Sequence, residues 1–200
     1  MPKRVDHEQR RAQIAEAVWR IARDRGLEDV TLRQVAAEAG VSTRLVQYYF
    51  GTRNDLLLGA LKSLNERQER RVQQQIAEAG APDLRGILRG ILSGMLPADE
   101  ESRTTTLVHI AYFVRALGDP ELAEAFRQPA SPTLEELFVM LLEDARGKGQ
   151  LAPGLDLARE ADTLLAIPAG LTTEILLGQR TVDDVLAVVD YNLDRIFTRD

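Results

Sequence analysis

The sequence predicts an all-α protein in which a small helix-turn-helix domain precedes a larger helical domain. Three observations predict it. Aromatic residues make up only 5% of the chain, and no stretch alternates apolar and polar residues with the period of a strand. Apolar residues instead recur at helical spacing from end to end. Two short helical segments, joined through a single glycine, stand near the N-terminus.

The first helix carries Ile14, Val18, Ile21 and Ala22 at i, i+4, i+7 and i+8, and Gly26 ends it. A second helix follows over 32–39, with Thr31 as its N-cap, and a third over 43–50, with Ser42 as its N-cap. Gly51 and Thr52 interrupt. A long helix then starts near Arg53 and runs to about 79, closed by Gly80, Ala81 and Pro82. Further helices fit 83–96, 101–117, 119–147, 157–178 and 182–198, punctuated by Pro97, Gly118-Asp119-Pro120, the 147–154 stretch and Gly178. Pro129 and Pro132 divide the 119–147 span near 128–132, and Pro168 should kink its helix. The boundaries place the helix-turn-helix domain at 1–52 and the larger helical domain at 53–200.

The bulk composition sets outer bounds. A chain of 200 residues buries roughly 70% of its unfolded surface, enough for a core without staples. Cysteine is absent, which removes disulfides, thiolate nucleophiles and cysteine-ligated metals and fits a reducing cytoplasm. The best apolar run, Leu164 to Leu171, falls short of the ~20 residues a membrane span needs, and no apolar leader opens the chain. The reading is therefore a cytoplasmic protein with no membrane partner. Two histidines, no phosphate loop and no metal-ligand spacing argue against an enzyme, a cofactor or a metal. The net charge of −6 speaks against nucleic acid, but its distribution does not. Residues 1–53 hold ten Lys/Arg against seven Asp/Glu, and the acidic excess lies in the remainder.

The stretch 31–50 meets each demand of a helix-turn-helix. Ala36 and Ala37 permit close helix approach, Gly40 turns the chain, Val41 plugs the gap, and Leu45, Val46 and Phe50 supply a buried face. Thr43, Arg44, Gln47 and Tyr48 are left for DNA. Arginine forks onto guanine and glutamine onto adenine, so Arg44 and Gln47 are candidate base readers. Thr31, Arg33, Ser42, Tyr48, Thr52 and Arg53 are candidate phosphate contacts at helix starts and on exposed surface.

Residues 10–61 resemble the N-terminal domain of the TetR family of bacterial regulators. The resemblance rests on the helix Ile14–Ala22, on "GLEDVTLRQVAAEAGVS", and on Tyr49, Phe50, Gly51, Thr52, Arg53, Asp55, Leu56 and Leu57. Two positions depart from it: Arg44 stands where the family often has glycine, and Gln47 where it often has the tyrosine that touches phosphate. The resemblance implies a repressor that binds a palindromic operator in double-stranded DNA as a homodimer and is released by a small-molecule effector. It also implies a four-helix dimer bundle from the last two helices, for which Leu164, Leu171, Ile175, Val185, Leu186, Val189 and Leu193 are candidates. Met95, Leu96, His109, Tyr112, Phe113, Phe126, Phe138 and Met140, in the middle helices, are candidates for an effector pocket. The rival reading is a helical protein-interaction module that does not bind DNA sequence-specifically.

Overall fold

The computed structural model describes residues 2–78, 84–127 and 132–198. These form ten α-helices in chain order: α1 (Pro2–Arg25), α2 (Leu32–Ala39), α3 (Thr43–Phe50), α4 (Arg53–Glu78), α5 (Leu84–Gly94), α6 (Glu100–Ala116), α7 (Pro120–Arg127), α8 (Leu134–Gly147), α9 (Leu157–Leu176) and α10 (Val182–Ile196). A 3-10 turn, Leu27–Asp29, joins α1 to α2. The described residues contain no strand, only an isolated antiparallel bridge between Leu151 and Phe197. The expected helix boundaries agree to within a few residues. The expected closure at 80–82 lies outside the described residues, as do residues 128–131 of the expected break, which falls between α7 and α8. No helix among the described residues is long and apolar enough to cross a membrane.

The chain forms two compact units, Met1–Glu69 with Thr104–Gln128, and Arg70–Arg103 with Pro129–Asp200. This division differs from the boundary at 52/53. The first unit takes in the start of α4, most of α6, and α7, because the apolar face of α1 alone cannot close a core. Ile14, Val18 and Ile21 of α1 pack with Val35 and Val46 of α2 and α3, with Leu56, Leu57, Leu61 and Leu64 of α4, and with Val108, Tyr112 and Leu122. Two buried polar groups find backbone partners within this core. Trp19 Nε1 donates to the Ala60 carbonyl at 3.1 Å, and the Tyr112 hydroxyl donates to the Leu57 carbonyl at 2.9 Å. Each bond avoids the cost of a buried unmade donor, about 1–3 kcal/mol.

The second unit packs α5, α8, α9 and α10 around Leu88, Ile91, Leu92, Phe138, Leu142, Leu164 and Leu193. Reciprocal capping boxes start α8, between Thr133 and Glu136, and α10, between Thr181 and Asp184. Arg89 grips Asp190 through two bonds of 2.7 and 3.0 Å, and Arg85 reaches Asp194 at 2.6 Å, which ties α5 to α10. The Arg89 bonds hold the Asp190 carboxyl below its usual range. After α10 the chain is clipped by Ala152 N donating to Ile196 O and Thr198 N donating to Gln150 O, each at 2.9 Å.

Candidate nucleic-acid interface

The interface is built by two short helices and their caps. Thr31 sits in extended backbone and its hydroxyl accepts from Gln34 N at 3.2 Å, so α2 begins where the sequence placed it. Gly40 ends α2 at φ 67°, a left-handed conformation that costs an L side chain energy. Val41 N then donates back to Ala36 O at 2.9 Å, which closes the turn. Ser42 accepts from Leu45 N at 3.2 Å and starts α3. Gly51, at φ 79°, ends it.

Within α3 the face is divided cleanly. Val46 and Phe50 are buried, while Thr43, Arg44, Gln47 and Tyr48 are exposed, Tyr48 to 71%. Tyr48 thus stands in water on a helix whose opposite face is sealed into a core. The α3 core face is tight. A Cβ added at Gly59 of α4 would stand 2.7 Å from Phe50 Cε1, so the glycine lets α4 approach the ring. Arg33, on α2, is exposed as well.

Thr31, Ser42 and Thr52 all turn out to be N-cap residues. The Thr31 hydroxyl donates to Gln34 Oε1 at 2.7 Å, and the Thr52 hydroxyl donates to Asp55 Oδ2 at 2.6 Å while accepting from Asp55 N. The Thr52 bonds lower the Asp55 pKa from the ordinary carboxylate value.

Arg53 corrects the expectation of a phosphate contact. Its side chain turns inward: Nε donates to Val30 O at 2.6 Å and Nη2 to Leu27 O at 2.7 Å. The guanidinium is a staple between the start of α4 and the turn before α2, bonding carbonyls at the start of the 3-10 turn and just after it. Arg53→Ala is expected to destabilise the protein by about 1.5–3 kcal/mol, the range for hydrogen bonds to a charged group. Thermal unfolding measures that loss. The salt dependence of DNA binding should stay unchanged, and a slope reduced by about one per head would restore Arg53 to the phosphate set.

The candidate effector residues divide between the two units. Tyr112 is fully buried and bonded to Leu57 O in the first, and Phe138 is fully buried in the second. Both are core, which corrects their assignment to a pocket. Burial raises the Tyr112 pKa, keeping the phenol a neutral donor. Met95 is half-buried against the second core. His109, Phe113 and Phe126 cluster in the first unit, with Phe126 edge-on to His109 at 6.4 Å and to Phe113 at 6.5 Å. Phe113 is 54% exposed. Burial pushes the His109 pKa down, partly offset by its bond to the Thr105 carbonyl, so the neutral ring is favoured.

A cavity of about 430 Å³ lies in the second unit and is lined by Met140, one of the candidate pocket residues. Pro132, Val139, Met140 and Ala158 form its apolar wall and Glu135, Glu136 and Asp162 bring carboxylates to it.

The candidate dimer residues are corrected in part. Leu164, Val185, Val189 and Leu193 are fully buried within the chain itself. Leu171, Ile175 and Leu186 are half-buried. The open faces of the same helices carry instead Ala166, Ala169 and Gly170 on α9, with Leu177 exposed just after it, and Ala187 and Tyr191 on α10.

Comparison with known proteins agrees with this geometry. Residues 14–60 match the family of bacterial regulatory proteins of the tetR type, and residues 84–198 match the C-terminal domain of BetI-type transcriptional repressors. The chain is 31% identical to the HTH-type transcriptional regulator PksA of Bacillus subtilis, over 100% of this chain and 96% of that protein. It is 30% identical to the HTH-type transcriptional regulator BetI of Stenotrophomonas maltophilia over 64% of each chain. Among solved structures, a transcriptional regulator from Rhodococcus superposes with a TM-score of 0.75 at 26% identity, covering 93% of this chain and 95% of that one. A putative transcriptional regulator from Saccharomonospora viridis in complex with choline gives a TM-score of 0.81 at 24% identity, covering 96% and 100%. The helix-turn-helix, the all-helical fold and these matches together establish that the chain is a transcriptional regulator and belongs to the TetR family, with a C-terminal domain of BetI type.

Proposed function

We propose that this regulator is a cytoplasmic repressor that binds a palindromic operator as a homodimer through α3 and is released by a small-molecule effector. The observation that carries the DNA contact is the division of α3, with Val46 and Phe50 sealed inward and Thr43, Arg44, Gln47 and Tyr48 outward. Arg44 and Gln47 read base edges, and Tyr48, Arg33 and the N-termini of α2 and α3 hold phosphates. One such head covers too few base pairs to be selective, which favours two heads related by a two-fold axis. The open faces of α9 and α10 suit a second copy, because Ala166, Ala169, Gly170 and Ala187 allow close helix approach around Leu177 and Tyr191.

For the effector, the Saccharomonospora relative bound to choline supports a small organic molecule. His109, Phe113 and Phe126, clustered in the first unit, remain its candidate contacts. Release requires that the effector bind one conformer more tightly than the other, since a ligand shifts an equilibrium only by its differential affinity. Helix α4 starts one residue after the cap that follows α3 and continues unbroken to Glu78, so it is the natural lever.

Selection from a randomised palindromic duplex library tests the reading. The expected result is a selective complex of two chains, each of 22.2 kDa, on one duplex, with affinity falling steeply as salt rises. Binding that is absent or insensitive to salt would sink it and leave the protein-interaction reading.

A further inference from the structure

The aromatic end of α3 has a neighbour outside the assigned DNA face. His7, near the start of α1, places its ring centroid 5.0 Å from Tyr49 and 6.1 Å from Tyr48. Tyr48 and Tyr49 meet each other edge-on at 5.3 Å. One turn further along α1, Arg11 Nη1 donates to the Tyr49 carbonyl at 2.7 Å, and its guanidinium carbon lies 4.5 Å from the Phe50 ring centroid. Two residues on one side of α1, four apart, thus hold the last turn of α3. Arg11 does so by a charged donor on a C-terminal carbonyl, where the helix dipole is negative. Holding the helices together therefore does not require an imidazole at position 7. What His7 adds is an exposed ring, at the edge of the most exposed aromatic side chain of α3, that can donate and can carry charge.

We propose that His7 is a phosphate contact of the reading head and a positioning residue for Tyr48. Its ring donates to a phosphodiester oxygen of double-stranded DNA, and its contact with the two tyrosines fixes the Tyr48 phenol for the neighbouring phosphate. The proposal rests on α3 being the reading helix. A phosphate favours the charged form of an imidazole, and imidazoles ordinarily change charge between pH 5 and 8, so affinity should fall as pH rises through that window. The other charged or titratable groups within four residues of His7 on α1 are Lys3, Arg4, Asp6, Glu8, Arg10 and Arg11, and those on α3 are Arg44, Tyr48 and Tyr49. Carboxylates, phenols, side-chain ammonium and guanidinium groups ordinarily change charge outside that window.

The test uses the full chain and the duplex that it selects from a randomised palindromic library, with fluorescence anisotropy at about pH 6 and about pH 8. Wild type is expected to lose about fivefold in affinity per head between the two, the step from a charge-assisted to a neutral hydrogen bond. His7→Phe keeps an aromatic ring and removes the charge. It should bind more weakly than wild type at both pH values and without the pH dependence, with a salt slope smaller by about 0.9 per head at the lower pH only. His7→Lys keeps a charge and should bind without the pH dependence. If His7→Phe retains the wild-type pH profile and salt slope while Arg44→Ala weakens binding, His7 is no phosphate contact and α3 remains the reading helix. If Arg44→Ala also binds as wild type, the assignment of α3 falls, and the role of His7 with it.

Discussion

Arg44→Ala should weaken operator binding by about 1–3 kcal/mol for each reading head, the worth of a bidentate arginine–guanine pair. In a complex with two heads the losses combine, so this is the largest functional effect expected from one substitution. The physical ground is the position of Arg44, exposed near the start of an α3 whose opposite face is pinned by Val46 and Phe50. Its backbone is fixed by the Ser42 cap, so the side chain is presented from a rigid base. Competition binding with duplexes altered one base pair at a time reads the result. Discrimination should relax at one position of each half-site, while the salt slope stays as in wild type. A uniform loss across all duplexes, with a slope smaller by about one per head, would make Arg44 a phosphate contact instead.

Tyr112→Ala should cost about 3–5 kcal/mol of folding stability, the range for deleting a buried aromatic ring. Tyr112 has no exposed surface, and it ties α6 to α4 through Leu57 O in the core that supports the reading head. Tyr112→Phe removes only the hydroxyl and should cost about 1 kcal/mol. Thermal unfolding of the three proteins orders them as wild type, then Phe, then Ala. A Tyr112→Ala protein as stable as wild type, altered only in its response to an effector, would return this residue to the pocket.

The contrast between Arg44 and Arg53 marks how far the sequence could be read. Both are arginines at or near a helix start in the same short stretch, and both suit a phosphate or a base. Arg53 is taken by Val30 O and Leu27 O, which lie 23 and 26 positions away in the chain. No local pattern announces those carbonyls, because they face Arg53 only once the 3-10 turn is formed. Thr31, Ser42, Gly40 and the division of α3 were legible, since each follows from interactions within about four residues: a hydroxyl against its own helix start, a backbone angle, a 3.6-residue period.

The same limit governs α10. Its stripe of Val185, Val189 and Leu193 is plain in the sequence, but periodicity says only that one face is buried, not what buries it. The folded chain buries that stripe in itself. The face left open runs through Ala187 and Tyr191, which no apolar stripe would nominate. Likewise, Tyr112 and Phe113 are adjacent aromatics of similar size, yet one is sealed and the other is 54% exposed. By itself the sequence determined the helical class, the place of the helix-turn-helix and which side of α3 is open, because short-range hydrogen bonding and periodicity decide those. Only the tertiary structure decided which arginine is a staple, which aromatics are core and which face of α10 stays open, because those depend on groups brought together from distant parts of the chain.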